Sequence, residues 1–296
     1  MDKNHQSYLY AGLAILFWST VPTAFKIGLR ELDILPLLTI ASLTSTFLLL
    51  IVILTGKKAH LIRITTRKEL LTSAILGFIN PFLYYLILLK AYQLLPAQIA
   101  QPLNMIWPII IVFLSVPILG QKIERRSFIA LFISFIGVYI ISSQGRLFNP
   151  GQSDITGVFL ATGSSVFWAF YFILNVKDKR DEGVKLLLNF VFGSIYLIIT
   201  IIVTGEWHIE PGFRGTAASV YIGIFEMGIT FLFWLKALQM ASTTAKVSNL
   251  VYLAPFLSLV FIHYILHEPV YYTTPLGLVF IISGIFIQNR RSKIMV

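Results

Sequence analysis

Glu226 is the residue whose position most strongly suggests chemistry. It lies in SVYIGIFEMGITFLFWLK, and no other charged residue lies within nine positions of it. A carboxylate placed in hydrocarbon costs at least about 2.5 kcal/mol unless it has a partner or faces water. Glu226 could therefore face a substrate ammonium group or carry a coupling proton. The alternative interpretation is a structural, protonated carboxyl bonded to a neighbouring helix.

A second polar group interrupts the uncharged run AQIAQPLNMIWPIIIVFLSVPIL. Pro108 removes a backbone hydrogen bond one turn back, close to Asn104. Irregular backbone at membrane depth is tolerated only against protein or a wet cavity. Asn104 and Trp107 are therefore predicted to face inward and bind solute. Pro108 and Pro255 are predicted to be hinges, with static packing kinks as the alternative.

Two further segments combine aromatic and polar residues at mid-span. FWSTVP offers Trp18, Ser19 and Thr20 before Pro22, which is predicted to be another hinge. FWAFYFILN places Trp168, Tyr171 and Asn175 at spacings of three and four, on one helical face. Such walls suit a small amphiphilic solute, although tryptophan and tyrosine also populate membrane-interface belts. The remaining predicted solute-binding residues are Asn80, Tyr84, Asn249 and Tyr252, and the remaining predicted hinge is Pro81.

The elements that must position these residues are apolar blocks near 20 residues long. The chain of 296 residues is 57% hydrophobic, and its mean hydropathy is +0.82. A block of this length crosses a hydrocarbon core of about 30 Å as a helix. The sequence predicts an all-α integral membrane protein with ten transmembrane helices, near 8–25, 35–54, 70–89, 97–119, 127–143, 155–174, 186–204, 216–235, 244–266 and 275–289.

The net charge of +10 has a topological explanation. Most lysines and arginines fall in segments that are cytoplasmic if both termini lie in the cytoplasm, as the positive-inside rule requires. Nucleic acid is therefore not an expected partner. The expected partners are the lipid bilayer and a small-molecule substrate, in a multi-pass protein of the cytoplasmic membrane that is a monomer or a homodimer. No cofactor, metal site or catalytic residue is predicted.

The two halves of the chain also share the residue spacings of an internal repeat. Separations of 13 and 16 residues recur in both halves, linking Pro108, Gln121 and Gly137 in one and Pro255, Glu268 and Gly284 in the other. The predicted division is 1–148 and 149–296, with five spans in each half. Because five is odd, the second half must enter the membrane from the opposite side. Such inverted repeats are typical of secondary transporters that work by alternating access. The small residues predicted to permit close helix packing are Gly12, Gly137, Gly157, Gly163, Ser164 and Gly284.

Several short motifs support a family resemblance. FWST at 17–20, NMIWP at 104–108 and GQK at 120–122, within this ten-span pattern, resemble the EamA-type drug/metabolite transporter superfamily and its aromatic amino-acid exporter subgroup. The resemblance implies a central cavity walled by spans 1, 3, 4, 6, 8 and 9. It also implies export of amino acids, aromatic ones among them, or of similar metabolites.

Other functions stay open at the level of sequence. The solute could belong to another class, such as nucleosides, purines or organic acids. A channel-like or structural membrane protein is an alternative of a different class. An enzyme is not expected, because the chain has neither an H-E-x-x-H nor a G-x-S-x-G motif and contains no cysteine.

Overall fold

The computed structural model describes residues 3–120, 125–147, 153–206, 212–240 and 250–289, and these contain helices and no β-strands. In the first half of the chain the helices are α1 (Lys3–Glu31), α2 (Ile34–Thr55), α3 (Ala59–Arg63), α4 (Arg67–Gly77), α5 (Tyr84–Leu94), α6 (Ala97–Asn104), α7 (Trp107–Leu119) and α8 (Arg125–Ser142). They continue as α9 (Ile155–Lys177), α10 (Glu182–Thr204), α11 (Phe213–Tyr221), α12 (Ile229–Met240), α13 (Ala254–Leu266) and α14 (Thr273–Asn289).

The lengths of these helices match a membrane protein. Within the described residues, eight helical stretches of 18 or more residues are apolar enough to cross a bilayer. Two shorter apolar helices occupy Leu250–Leu266 and Thr273–Ile287. The prediction of an all-helical membrane protein is confirmed, whereas the count of ten spans and the inverted repeat stay predictions.

Two of the long helical stretches contain a wide turn of the π type, and in the first of them the non-helical residue Asn80 makes it a kink between two helices. The first π segment, Phe78–Leu83, joins α4 to α5, and the second π segment, Ile222–Glu226, follows α11. In each, one backbone N–H reaches back five residues: Tyr84 donates to the Ile79 carbonyl and Met227 to the Ile222 carbonyl. Such turns are rare, and they occur frequently at functional sites.

The described chain forms two compact units. The first unit comprises Met1–Leu89 and Asp178–His267, and the second comprises Lys90–Lys177 and Glu268–Val296. In the first unit, α1 packs against α11, α12 and α13, and α10 packs against α2, α4 and the first π segment. In the second unit, α8 packs along α14, and α9 packs against α6 and α7. The predicted division at residue 148 separates two sequence repeats, whereas these two units are defined by compactness. That division therefore stays a prediction.

Small residues explain the close approach of α8 and α14. A Cβ added at Gly137 would meet the Gly277 carbonyl at 2.6 Å, and one added at Gly284 would meet the Ala130 carbonyl at 2.7 Å. Backbones this close exclude side chains, as at other small-residue crossings in membranes. The predicted packing role is therefore confirmed for Gly137 and Gly284. At Gly157 an added Cβ would meet the Leu95 side chain at 2.7 Å, whereas at Gly12 and Gly163 it would meet no atom of the described residues within 4 Å, so these two mark no close approach there.

An ionic cluster holds the start of α10 in the first unit. Arg180 pairs with Asp178 and also donates to the Ser73 hydroxyl at 2.8 Å. Lys58 lies 2.6 Å from Asp181, which caps α10 by accepting hydrogen bonds from the first-turn amides. Lys185, whose side chain is 3% exposed, donates to the Asp178 carbonyl at 3.0 Å. The buried charges are thus paired, as burial demands.

Candidate functional site

Glu226 closes the second π segment, in the middle of the apolar stretch Phe213–Trp234. As a whole residue, Glu226 is intermediate between the buried core and the exposed surface. The Tyr85 hydroxyl donates to Glu226 Oε1 at 3.0 Å. A polarising donor on one carboxyl oxygen and accessible surface nearby are the properties of a group that can bind or exchange a charged partner.

The backbone around Glu226 is irregular, and hydroxyl groups satisfy its carbonyls. Ser45 of α2 donates to the Met227 carbonyl at 2.9 Å, and Thr230 donates to the Phe225 carbonyl. The segment also lies close to α2, because a Cβ at Gly228 would come within 2.7 Å of the Leu48 side chain. Hydrocarbon offers these carbonyls no hydrogen-bond donor, and here the donors are side chains of the protein.

Tyr85 is the contact that sequence reasoning missed. The predicted residue was its neighbour Tyr84, which is buried and packs edge-on against Tyr85 at 4.7 Å between ring centroids. A π turn holds more residues than an α turn, so α-helical spacing no longer marks one face across it. To identify Tyr85 from the sequence, the wide turn at Phe78–Leu83 would have to be predicted first, and the Asn80-Pro81 pair indicates a break there.

Aromatic rings line the region of α1 next to the second π segment. Phe17 packs on Phe225 at 4.4 Å between centroids, and Trp18 lies 5.5 Å from Trp234. All four side chains retain part of their surface. Since Phe225 directly precedes Glu226, the Phe17–Phe225 pair forms an aromatic surface beside the residue that carries the carboxyl group.

The predicted hydroxyls of α1 have different surroundings. Thr20 donates to the Phe17 carbonyl and therefore accepts at 2.6 Å from the Tyr221 hydroxyl, which ties α1 to α11. Ser19 is buried and donates to the Leu16 carbonyl at 2.6 Å, so its proton is used within its own helix. Their role in solute binding stays a prediction.

Asn80 interrupts the first π segment with an extended conformation, φ −148° and ψ 121°. Its side chain is 3% exposed, and its Oδ1 has no hydrogen-bond partner among the described residues. Pro81, which follows it, packs against α10 at Gly193, where an added Cβ would meet the proline ring at 2.5 Å. The predicted hinge at Pro81 thus lies at a tightly packed break in the helix.

The second unit contains another group of predicted residues. Asn104 Nδ2 donates to the Ser164 hydroxyl at 2.7 Å, which links the end of α6 to α9. Trp107 lies 5.9 Å from Phe172 between ring centroids. Trp168 and Tyr171 pack at 5.9 Å on α9, one turn before Asn175. Asn104, Trp107, Trp168 and Asn175 are partly exposed, whereas Tyr171 is buried.

The predicted hinges at Pro108 and Pro255 both lie in the first turn of a helix. Pro108 enters α7 after the break at 105–106, and Pro255 enters α13 after the short 3₁₀ turn Leu250–Leu253. A proline costs no hydrogen bond there, because first-turn amides have no helical partner. Pro22, in contrast, lies within continuous α1. The partly exposed Tyr252 belongs to the 3₁₀ turn, and Asn249 lies outside the described residues.

α7 and α13 also end alike. Each spans 13 residues, and each is followed by a left-handed residue, Gly120 with φ 69° and His267 with φ 57°. Both left-handed residues lie twelve positions after the proline. The inverted repeat itself stays a prediction.

Comparison with known proteins places these features in context. The model of the EamA-like transporter family matches residues 5–143 and 155–290. An uncharacterized transporter of Clostridium kluyveri is 30% identical over 186 residues, which span 60% of this chain and 58% of that protein. An uncharacterized transporter of Archaeoglobus fulgidus is 27% identical and covers 97% of this chain and 99% of its own length. A solved structure with 18% identity matches 97% of each chain with a TM-score of 0.68, which supports the fold.

Proposed function

The chain belongs to the EamA-like transporter family, and from that premise we propose that it moves small organic metabolites across the cytoplasmic membrane by alternating access. The proposed solutes are amino acids, aromatic ones among them, and the proposed direction is efflux. Both termini are proposed to lie in the cytoplasm. The relatives carry the description of transporters without a substrate, so the solute class rests on the residues of this chain.

Glu226 is the observation that carries the proposal. A carboxyl at mid-span on an irregular turn costs stability, and its accessible surface together with the Tyr85 hydrogen bond gives it a chemical use. A carboxylate attracts the ammonium group of an amino acid. The nearby rings of Phe17, Trp18 and Phe225 supply contacts for an aromatic or apolar side chain.

The proposal includes a coupling proton at Glu226. A carboxyl that binds either a proton or an ammonium group exchanges one for the other, which links efflux of solute to entry of a proton. Tyr85 donates a hydrogen bond to Oε1, one of the two oxygens that would bind the proton or the ammonium group. Proton movement and solute movement then require the same side chain.

Counterflow in proteoliposomes tests the function. The purified protein is reconstituted with unlabelled amino acid inside, and uptake of the labelled form is followed for amino acids, nucleosides, purines and organic acids in turn. Saturable, transient accumulation of an amino acid supports the proposal. Accumulation confined to another class contradicts the solute assignment, and non-saturating flux without counterflow indicates a channel.

A further inference from the structure

The second π segment is held from outside by α2. Ser45 is fully buried, and its hydroxyl donates to the Met227 carbonyl at 2.9 Å, one residue after Glu226. In a regular helix this carbonyl would accept the amide four residues on. The serine therefore supplies a fixed partner at the point where the helical hydrogen bonding changes register.

The same face of α2 shapes the approach of the segment. A Cβ at Gly223 would collide with the Ala41 carbonyl and with Thr44, and one at Gly228 with Leu48. Residues 41, 44, 45 and 48 recur at spacings of three and four, so they form one stripe on α2. The stripe supports the irregular turn on both sides of Glu226.

Two hydrogen bonds within the same helical stretch also hold the turn around Glu226. The Thr230 hydroxyl donates to the Phe225 carbonyl, and the Met227 amide bonds the Ile222 carbonyl at 3.1 Å. The two carbonyls flanking Glu226 thus each accept from a hydroxyl. Rotation of the turn would break both bonds in an environment without water to replace them.

From these contacts we infer that Ser45 is a positioning residue for the solute site: by holding the Met227 carbonyl, it fixes the direction in which Glu226 presents its carboxyl group. The inference rests on the proposed function, because it assigns Ser45 a role through Glu226. Thr230 assists from the other side of the turn. Ser45 itself does not contact solute in this scheme.

Ser42 provides a matched control. It is also a fully buried serine on α2, and its hydroxyl also bonds across to another helix, at 2.8 Å from Ser194 Oγ. Its partner lies on α10 rather than on the second π segment. Loss of a buried hydroxyl is therefore common to Ser42→Ala and Ser45→Ala, while loss of the contact near Glu226 is specific to the second.

The structural arm of the test reads the Met227 carbonyl directly. The protein is labelled with carbonyl-¹³C methionine, and the Met227 band is identified by its loss in Met227→Leu. Infrared spectra of Ser45→Ala should show this band shifted to higher frequency, because the carbonyl loses a donor, whereas Ser42→Ala should leave it in place. An unshifted band in Ser45→Ala overturns the inference.

The functional arm is counterflow of the amino acid found active in proteoliposomes. Ser45→Ala should raise KM by about three- to fifteen-fold, the range of single hydrogen bonds within membranes, with the maximal rate little changed. Ser45→Cys should fall between serine and alanine, since a thiol is a weak donor. Ser42→Ala should stay within about twofold of the wild type.

The two arms separate two kinds of failure. Wild-type counterflow in Glu226→Gln would remove the carboxyl from the proposed function, whatever the Met227 band does. A shifted band with an unchanged KM in Ser45→Ala, while Glu226→Gln loses transport, would instead leave the proposed function standing and overturn the positioning role. Equal effects of Ser42→Ala and Ser45→Ala on KM would overturn it as well.

Discussion

The two π segments of the first unit break their helices by different means. In the first, Pro81 withholds an N–H and Asn80 takes an extended conformation. In the second, which contains no proline, glycines bring the turn against α2 and hydroxyls occupy its carbonyls. Asn80 is buried, whereas Glu226 is partly exposed and hydrogen-bonded. A proline break is written into the local sequence, while the second break depends on the surrounding fold.

The two π segments therefore differ in the role that their central side chains suit. The first segment carries a neutral amide in a packed setting, which favours a fixed bend. The second carries the ionisable group and leaves part of it accessible, which favours exchange with a ligand. Substitutions at the two segments should therefore separate stability from transport.

The largest effect is expected from Glu226→Gln. Removing a charge that pairs with a ligand in a water-poor site costs a few kcal/mol, so counterflow should fall by about 100-fold. The measurement is initial counterflow rate at equal amounts of reconstituted protein. Glu206→Gln, at an exposed carboxyl after α10, is the control and should match the wild type. Equal rates in all three proteins would contradict the role of Glu226.

Tyr85→Phe, which alters a contact of Glu226, should reduce counterflow less than Glu226→Gln does. It removes the donor to Glu226 Oε1 but keeps the ring that packs on Phe25 and Tyr84. A hydrogen bond to a charged group contributes about 1.5 kcal/mol at the lower end of its range, so counterflow should fall by about tenfold. Tyr84→Phe, which retains the neighbouring ring, tests whether the effect is specific; equal losses in both variants would argue against the assigned contact.

Gly223→Ala and Gly193→Ala compare the packing of the two segments. The added methyl groups would strike α2 and the Pro81 ring respectively. Overpacking of this kind costs about 1–3 kcal/mol, so both variants should unfold at lower temperature. Only Gly223→Ala should also raise the KM for counterflow, because it shifts the turn that carries Glu226. A KM change of the same size in Gly193→Ala would remove the distinction.

The smallest effect is expected from the ionic cluster around Asp178 and Asp181, which lie outside the membrane-spanning helices. A substitution there tests the stability of the start of α10 without changing either π segment. Burial raises the pKa of Asp178 and Asp181, but bonds and charges from Arg180 and Lys58 outweigh it and hold both pKa values below the ordinary 3.8. Because the folded-state pKa is depressed, the stabilisation is complete well above pH 3.8 and is lost as the pH falls through the folded-state values.

Asp181→Asn tests that cluster. The variant should unfold about 2 °C below the wild type at pH 7, and the difference should shrink between pH 5 and pH 3, as the wild type loses its own ion pair. Thermal unfolding followed by circular dichroism measures both. A difference that grows toward low pH would contradict the assigned sign.

The sequence predicted those features that depend on local patterns. Apolar block length gave the helical membrane fold, and Pro108 and Pro255 marked the two places where a helix restarts. Glu226 was conspicuous because its neighbours are uncharged. Each of these signals lies within about 20 residues of chain.

The features that were missed depend on distant partners. The second π segment needs Ser45, which lies 182 positions from Met227, and Tyr85 reaches Glu226 across 141 positions. The ionic cluster joins Lys58 to Asp181 across 123 positions. Nothing in a local window distinguishes Tyr85 from Tyr84, because the Glu226 carboxyl that Tyr85 contacts lies in a distant part of the chain.

The left-handed residues after α7 and α13 differ in how their conformation is maintained. Glycine adopts this conformation freely, whereas histidine does so at a cost of roughly 1 kcal/mol. The bend at His267 is therefore held by the surrounding structure against the conformational preference of its own residue.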